Sequence, residues 1–318
     1  VAERRALWVC GGLALLALAA AAAFLALNIR GNVWFALELR ATRLAALVVV
    51  GVAVAVSTVV FQTVTGNRIL TPTIMGLDAL YALIQSLLVL TLGALGYAGL
   101  DPRLKFIGET ALLSALALAL FLPMLRARLD MTLMLLAGVV TGLLLRSLQA
   151  LVERVLDPND FAVASAAGFA SFNLVHPELL AVGGLVTAAG CALAWRARHA
   201  LDVAALGADP AVSLGIDWRR LVAGLLMLVA VLVAVSTALV GPVVFLGLLV
   251  VALAERLVGT RRHSALLPAA ALLAVVVLVG GQALLQHGLG GASVLAVVVE
   301  FVGGLVFLTL LIAESRRR

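Results

Sequence analysis

From Ala6 to Ala313 the chain repeats one pattern: apolar stretches of about twenty residues separated by short connectors that carry arginine. A helix needs about 20 apolar residues to cross the hydrocarbon core of a bilayer, because its backbone groups there have to be satisfied within the segment. By that rule the sequence predicts ten membrane-spanning helices, at roughly 6–27, 43–62, 74–97, 107–125, 131–151, 178–195, 219–239, 242–258, 266–286 and 294–313. The expected fold class is an all-α membrane protein. One domain, 1–318, is expected because no linker rich in Pro, Gly or Ser divides the chain. An even number of spans puts both termini on the same side.

Composition agrees with that solvent. Hydrophobic residues fill 64% of 318 positions and charged residues 12%, with a mean hydropathy of +1.21; soluble domains are nearer 25% charged. Cations set the orientation, since Lys and Arg are retained in cytoplasmic connectors. With the N-terminus inside, Arg4, Arg5, Arg68, Arg126, Arg128, Arg196, Arg198, Arg219, Arg220, Arg256, Arg261, Arg262 and Arg316 to Arg318 lie inside. Only Arg30, Arg40, Arg43, Arg103, Lys105, Arg146 and Arg154 lie outside. The net charge of +6 is therefore a topology signal rather than a nucleic-acid footprint. Ala6 to Leu27 is longer than a secretory signal core and is read as the first span. Cys10 and Cys191 fall in spans without ligand spacing and read as small buried hydrophobes.

Two connectors are long enough for structure of their own. In the inner one, Asp209 suits a helix cap, Pro210 the first helical position and Gly215 the left-handed residue after the end, so a short helix is expected at Pro210 to Leu214. A second is expected at Leu201 to Leu206. The pair reads either as a platform against which a soluble partner pushes or as a plain connector. In the outer connector, Asp157-Pro158-Asn159-Asp160 is a helix-start signal ahead of a small-residue run. Gly138-x-x-x-Gly142 reads as helix packing.

Catalytic constellations are absent. The chain holds no nucleotide-cradling GxxxxGK[ST] loop, no HExxH and no GxSxG, and its four histidines are scattered through connectors and span ends, where they read as interfacial polar residues. Neither an enzyme activity nor a metal site is expected. Charge inside a span is costly, which makes Glu300 and Arg146 candidates either to pair across the bundle or to line a pathway. Arg40 and Arg43 share a helix face at the outer start of span two, where the positive end of a helix dipole disfavours cations. Something negative should compensate: lipid phosphate, or an acidic protein docking from outside.

Four blocks, in order, resemble the permease subunits of the iron-siderophore and vitamin B12 family of ABC importers. Arg40-Ala-Thr-Arg43-Leu44 is similar to the family's RLPR, followed by Q-x4-N-x4-P-x3-G at Gln62, Asn67, Pro72 and Gly76. Leu136-Ala137-Gly138-Val139 with Gly142 resembles LAG[VI]xxG. Leu206 to Gly215 resembles LGxxxAxxLG, and Gly241-Pro242, Phe245, Gly247-Leu248 with His263, Leu266, Leu267 and Pro268 resemble GPxxFxGL…HRxLLP. The resemblance implies a type II ABC importer permease in the bacterial cytoplasmic membrane, both termini cytoplasmic, without a cofactor of its own. It implies two cytosolic ATPase subunits holding ATP and Mg, and an extracytoplasmic binding protein that delivers the cargo. Leu206, Gly207, Asp209, Ala211, Leu214 and Gly215 would form the coupling surface, within a segment of about 201–217. Arg40 and Arg43 would meet the binding protein, and Gly138, Gly142, Arg146 and Glu300 would be candidates for the pathway.

Thr71 to Tyr81 and Val279 to Gln282 resemble the branch that takes up ferric catecholate-type siderophores, which implies ferric siderophore as cargo and a second permease subunit, a paralogue rather than an identical copy. Cobalamin or haem import, or an ion-coupled carrier, is the alternative. The sequence departs from the family pattern at Arg68, at Val251-Ala252 and at Gly291 to Leu295.

Overall fold

In a computed structural model, residues 2–27, 32–126, 131–173, 175–288 and 295–315 are described. Arg30, Arg128, Arg316 to Arg318 and most of the 291–295 segment, used above for topology and for the family comparison, lie outside them. Thirteen α-helices run through the described residues. Ten overlie the ten apolar stretches: α1 (Ala2–Ala26), α2 (Val33–Thr65), α3 (Asp78–Ala98), α4 (Pro102–Arg126), α5 (Met131–Glu153), α7 (Pro177–Arg196), α10 (Trp218–Val240), α11 (Leu246–Val258), α12 (His263–Gly288) and α13 (Leu295–Ser315). The short α6 (Pro158–Ala167), α8 (Arg198–Ala204) and α9 (Ala208–Ser213) fall in the two long connectors. Among the described residues seven helices are long and apolar enough to cross a membrane, so the expected ten spans are reduced by that measure to seven.

The centre of the bundle is α2. Of its most apolar window 72% is buried, against 17% for α1 and 11% for α5, which makes α2 the core and the other two peripheral. It packs against α12, α10, α7 and α11, while α1 lies along α12 and α4 along α10. A second group, α3, α5 and α6, packs around a π-helical turn at Thr73–Leu77. Small residues permit the close approaches: a Cβ on Gly183 or Gly190 of α7 would come within 2.6 and 2.7 Å of Leu239 and Leu232 of α10.

Helix boundaries differ from the hydropathy windows for local reasons. α2 starts ten residues before the expected 43, because Asn32 Oδ1 accepts from the N–H groups of Trp34 (3.0 Å) and Phe35 (3.4 Å). Arg40 and Arg43 therefore lie in its third turn, away from the dipole end. The α-helix of the third span begins only at Asp78, since Gly76 (φ 96°) is left-handed and breaks the chain there. A second break at Gly93 (φ 69°) exposes the Ala94 N–H, which Asp160 Oδ1 accepts at 2.9 Å; this seats α6, begun at Pro158 as expected, on α3.

Candidate functional site

At the end of the bundle carrying α8 and α9, the inner connector forms the two short helices expected of it. α8 starts at Arg198 and ends at Ala204, three residues earlier and two shorter at its end than expected. α9 is capped by Gly207 (φ 100°) and starts at Ala208. Asp209 is thus not the cap but the second helical residue, because the left-handed glycine already turns the chain into the helix. Gly215 is left-handed (φ 86°), as expected. Leu201, Ala204 and Ala211 are buried and anchor the pair, whereas Leu206, Val212 and Leu214 are 61%, 58% and 62% exposed. The pair is thus seated on buried residues and turns apolar side chains outward.

Arginines gather at this end. Arg5 donates to the Leu257 and Arg256 carbonyls, and Arg68 pairs with Glu255 at 3.8 Å. His263, expected to be interfacial, is 2% exposed. It is held by Asp202 of α8 and Thr63 of α2.

Within the bundle, the break between α2 and α3 explains the Q-x4-N-x4-P-x3-G spacing. Gln62 Nε2 donates to the Arg68 carbonyl (2.7 Å), and Asn67 Oδ1 accepts from the Ile69 N–H (2.9 Å). These bonds satisfy backbone that has left the helix. Pro72 has no N–H to satisfy, and Thr73 donates to the Val244 carbonyl (3.1 Å). Gly76 then lies directly on Gly142 of α5, and Gly138 lies on Met75. Gly138 and Gly142 are buried at this contact, a close approach of the kind small residues permit.

Arg146 and Glu300 do not form the pair considered above. Arg146 takes Asp78 instead, at 2.7 Å. Glu300 faces the Val244 backbone amide, with Asp78 and Arg146 close by. Between α2, α10 and the 72–73 turn lies a small space of about 10 Å³, whose lining includes Ser57, Thr58, Thr73, Ser236 and Thr237. That is room for about one water molecule.

Toward the opposite end, Arg40 is 8% exposed. Its Nη1 donates to the carbonyls of Phe24 (3.2 Å), Leu25 (3.0 Å) and Leu27 (2.7 Å). A negative partner for Arg40 is therefore the C-terminus of α1. Arg43 is half-buried, and its Nε has no hydrogen-bond partner among the described residues. Sequence reasoning missed a further network: Gln85 joins buried Glu109 (2.7 Å) to the Tyr97 hydroxyl (2.7 Å), with Lys105 4.1 Å from the centre of the Tyr97 ring. Glu109 three residues inside an apolar window was its one visible signal. Nearby, Arg103 and Glu178 pair across α4 and α7.

These features sit on a fold with known counterparts. A solved structure described as an inward-facing metal-chelate type ABC transporter superposes with a TM-score of 0.80 at 20% identity, over 96% of this chain and 99% of that one. The chain belongs to the FecCD transport family, which matches residues 9–313. It is 39% identical over 287 residues to the petrobactin import system permease protein YclO of Bacillus subtilis (strain 168), covering 90% of this chain and 91% of the relative. It is 30% identical to the petrobactin import system permease protein FatC of Bacillus anthracis, over 86% and 78% of the two chains. The vitamin B12 import system permease protein BtuC of Vibrio cholerae is 28% identical over 86% of this chain and 82% of its own.

Proposed function

We propose that this chain is the membrane permease subunit of an ATP-driven importer of ferric siderophore, with cargo of the petrobactin type. The end-to-end 39% identity to a petrobactin permease carries this reading of the cargo, above the 28% shared with vitamin B12 permeases. All ten long helices cross the cytoplasmic membrane, with both termini and the α8–α9 platform in the cytosol. Two ATPase subunits bind ATP and Mg, and one meets Leu206, Gly207, Asp209, Ala211, Leu214 and Gly215; Ala211 supports from below, while Leu206 and Leu214 make contact. A paralogous permease completes the pathway, to which Arg146 and Glu300 contribute, and an extracytoplasmic binding protein delivers the cargo. Arg43 is the direct contact for that protein, and Arg40 holds the α1–α2 corner in place beneath it.

The test is transport by the reconstituted complex of both permeases, ATPase and binding protein in proteoliposomes. Ferric petrobactin should accumulate only with ATP. Leu214→Asp, which puts a charge on an exposed apolar contact without disturbing the buried anchors, should lower stimulation of ATP hydrolysis by loaded binding protein about tenfold, a loss of ~1.4 kcal/mol. Accumulation without the ATPase, or unchanged stimulation in Leu214→Asp, counts against the proposal.

A further inference from the structure

The platform is joined covalently to α7 at Ala197 and to α10 at Asp217. Both of those helices pack against α2, which packs along α12 at the centre of the bundle. A direct polar link from the platform to α2 and α12 runs through one imidazole. Asp202 of α8 directs Oδ1 at the first residue of α12, accepting the His263 backbone N–H at 2.8 Å and lying 2.7 Å from ring Nδ1. The other ring nitrogen, Nε2, is 2.7 Å from Thr63 Oγ1 in the last turn of α2. Thr63 is in turn bonded to the Val59 carbonyl of its own helix at 2.8 Å. Three helices distant in sequence thus meet on one buried side chain.

We infer that Asp202, His263 and Thr63 are positioning residues that carry movement of the α8–α9 platform into α2 and α12, a role that rests on the platform being the ATPase contact. Leu201 and Ala204 of α8 also sit buried, as apolar ties to the core. Burial of that kind is non-directional. Hydrogen bonds of this length hold both distance and direction. The Asp202 carboxylate also lies at the positive end of the 26-residue α12, so shifting it moves a charge against the helix dipole. Displacing α9 rotates α8 about its short connections, and the Asp202–His263–Thr63 chain passes that rotation to the two helices that form the core.

The test uses the complete transporter in proteoliposomes, comparing ferric petrobactin delivered per ATP hydrolysed in Asp202→Ala, Thr63→Val and the double variant. Thr63→Val is isosteric and removes only the hydroxyl facing Nε2. Delivery per ATP should fall about five- to tenfold in Asp202→Ala and two- to threefold in Thr63→Val, with the ATPase still co-purifying. The double variant should be no worse than Asp202→Ala, because both changes act through the same ring. Delivery per ATP within twofold of the parent in both single variants, or losses that multiply in the double variant, would overturn the inference. If Asp202→Ala does not assemble, Thr63→Val decides by the same measure. A parent complex to which no ATPase binds would overturn the platform reading, and the inference with it; a parent that couples normally while the variants also couple normally would overturn the inference alone.

Discussion

The contact between Gly76 and Gly142 permits an asymmetric experiment, because the same methyl group added on its two sides has different consequences. On Gly76 a Cβ would lie 2.8 Å from Gly142 Cα and 3.1 Å from its nitrogen, both backbone atoms that cannot rotate away. Gly76 is also at φ 96°, where an L side chain costs about 1–3 kcal/mol. Overpacking adds roughly another 1–3 kcal/mol. Gly76→Ala should therefore lose about 2–6 kcal/mol and separate α5 from the π turn. On Gly142 the added Cβ would sit 3.4 Å from Gly76 Cα, an ordinary contact, and in a helix interior Ala is favoured over Gly by about 1 kcal/mol. Gly142→Ala should be neutral to within about 1 kcal/mol. Thermal unfolding of both variants in detergent, followed by size-exclusion recovery after heating, reads the difference. A Gly76→Ala protein as heat-resistant as the parent, or equal losses in the two variants, would refute the geometry.

Arg40→Met leaves three carbonyls at the end of α1 without their charged donor, which should cost about 2–4 kcal/mol and lower the melting temperature; normal melting with weakened binding-protein affinity would show Arg40 to be a docking residue after all. Gly247→Ala places a Cβ 2.1 Å from Thr58 Oγ1 and should abolish recovery of folded protein, while adding Thr58→Ala should restore most of it. Failure of the second change to rescue the first would place the α2–α11 contact elsewhere.

Much of the fold was legible because a bilayer imposes a solvent rule on every residue independently. Each of the ten apolar stretches holds a helix, seven of them long and apolar enough to span among the described residues, because a helix satisfies its own backbone groups in hydrocarbon. Their ends were less legible: the window for span two marked apolar residues, whereas the helix obeys Asn32 ten residues earlier. The platform was readable from Asp209, Pro210 and Gly215, yet the cap proved to be Gly207, whose left-handed φ has no local signature beyond its being glycine. The break at Gly76 stayed hidden under continuous hydropathy. Arg40 was seen as a cation needing a negative partner, which was right, but the partner is the end of another helix.

The sequence by itself determined the solvent, the long helices, the short helix pair of the inner connector and the family, because hydropathy, turn residues and motif spacing act over a few neighbouring positions. Tertiary structure alone decided that Arg146 meets Asp78 rather than Glu300, that Gly142 receives Gly76, and that His263 joins Asp202 to Thr63. Those partners stand 68 and 61 residues apart in the first and last cases. Close packing of helices chooses them, and packing depends on how whole surfaces fit together, which local pattern does not encode.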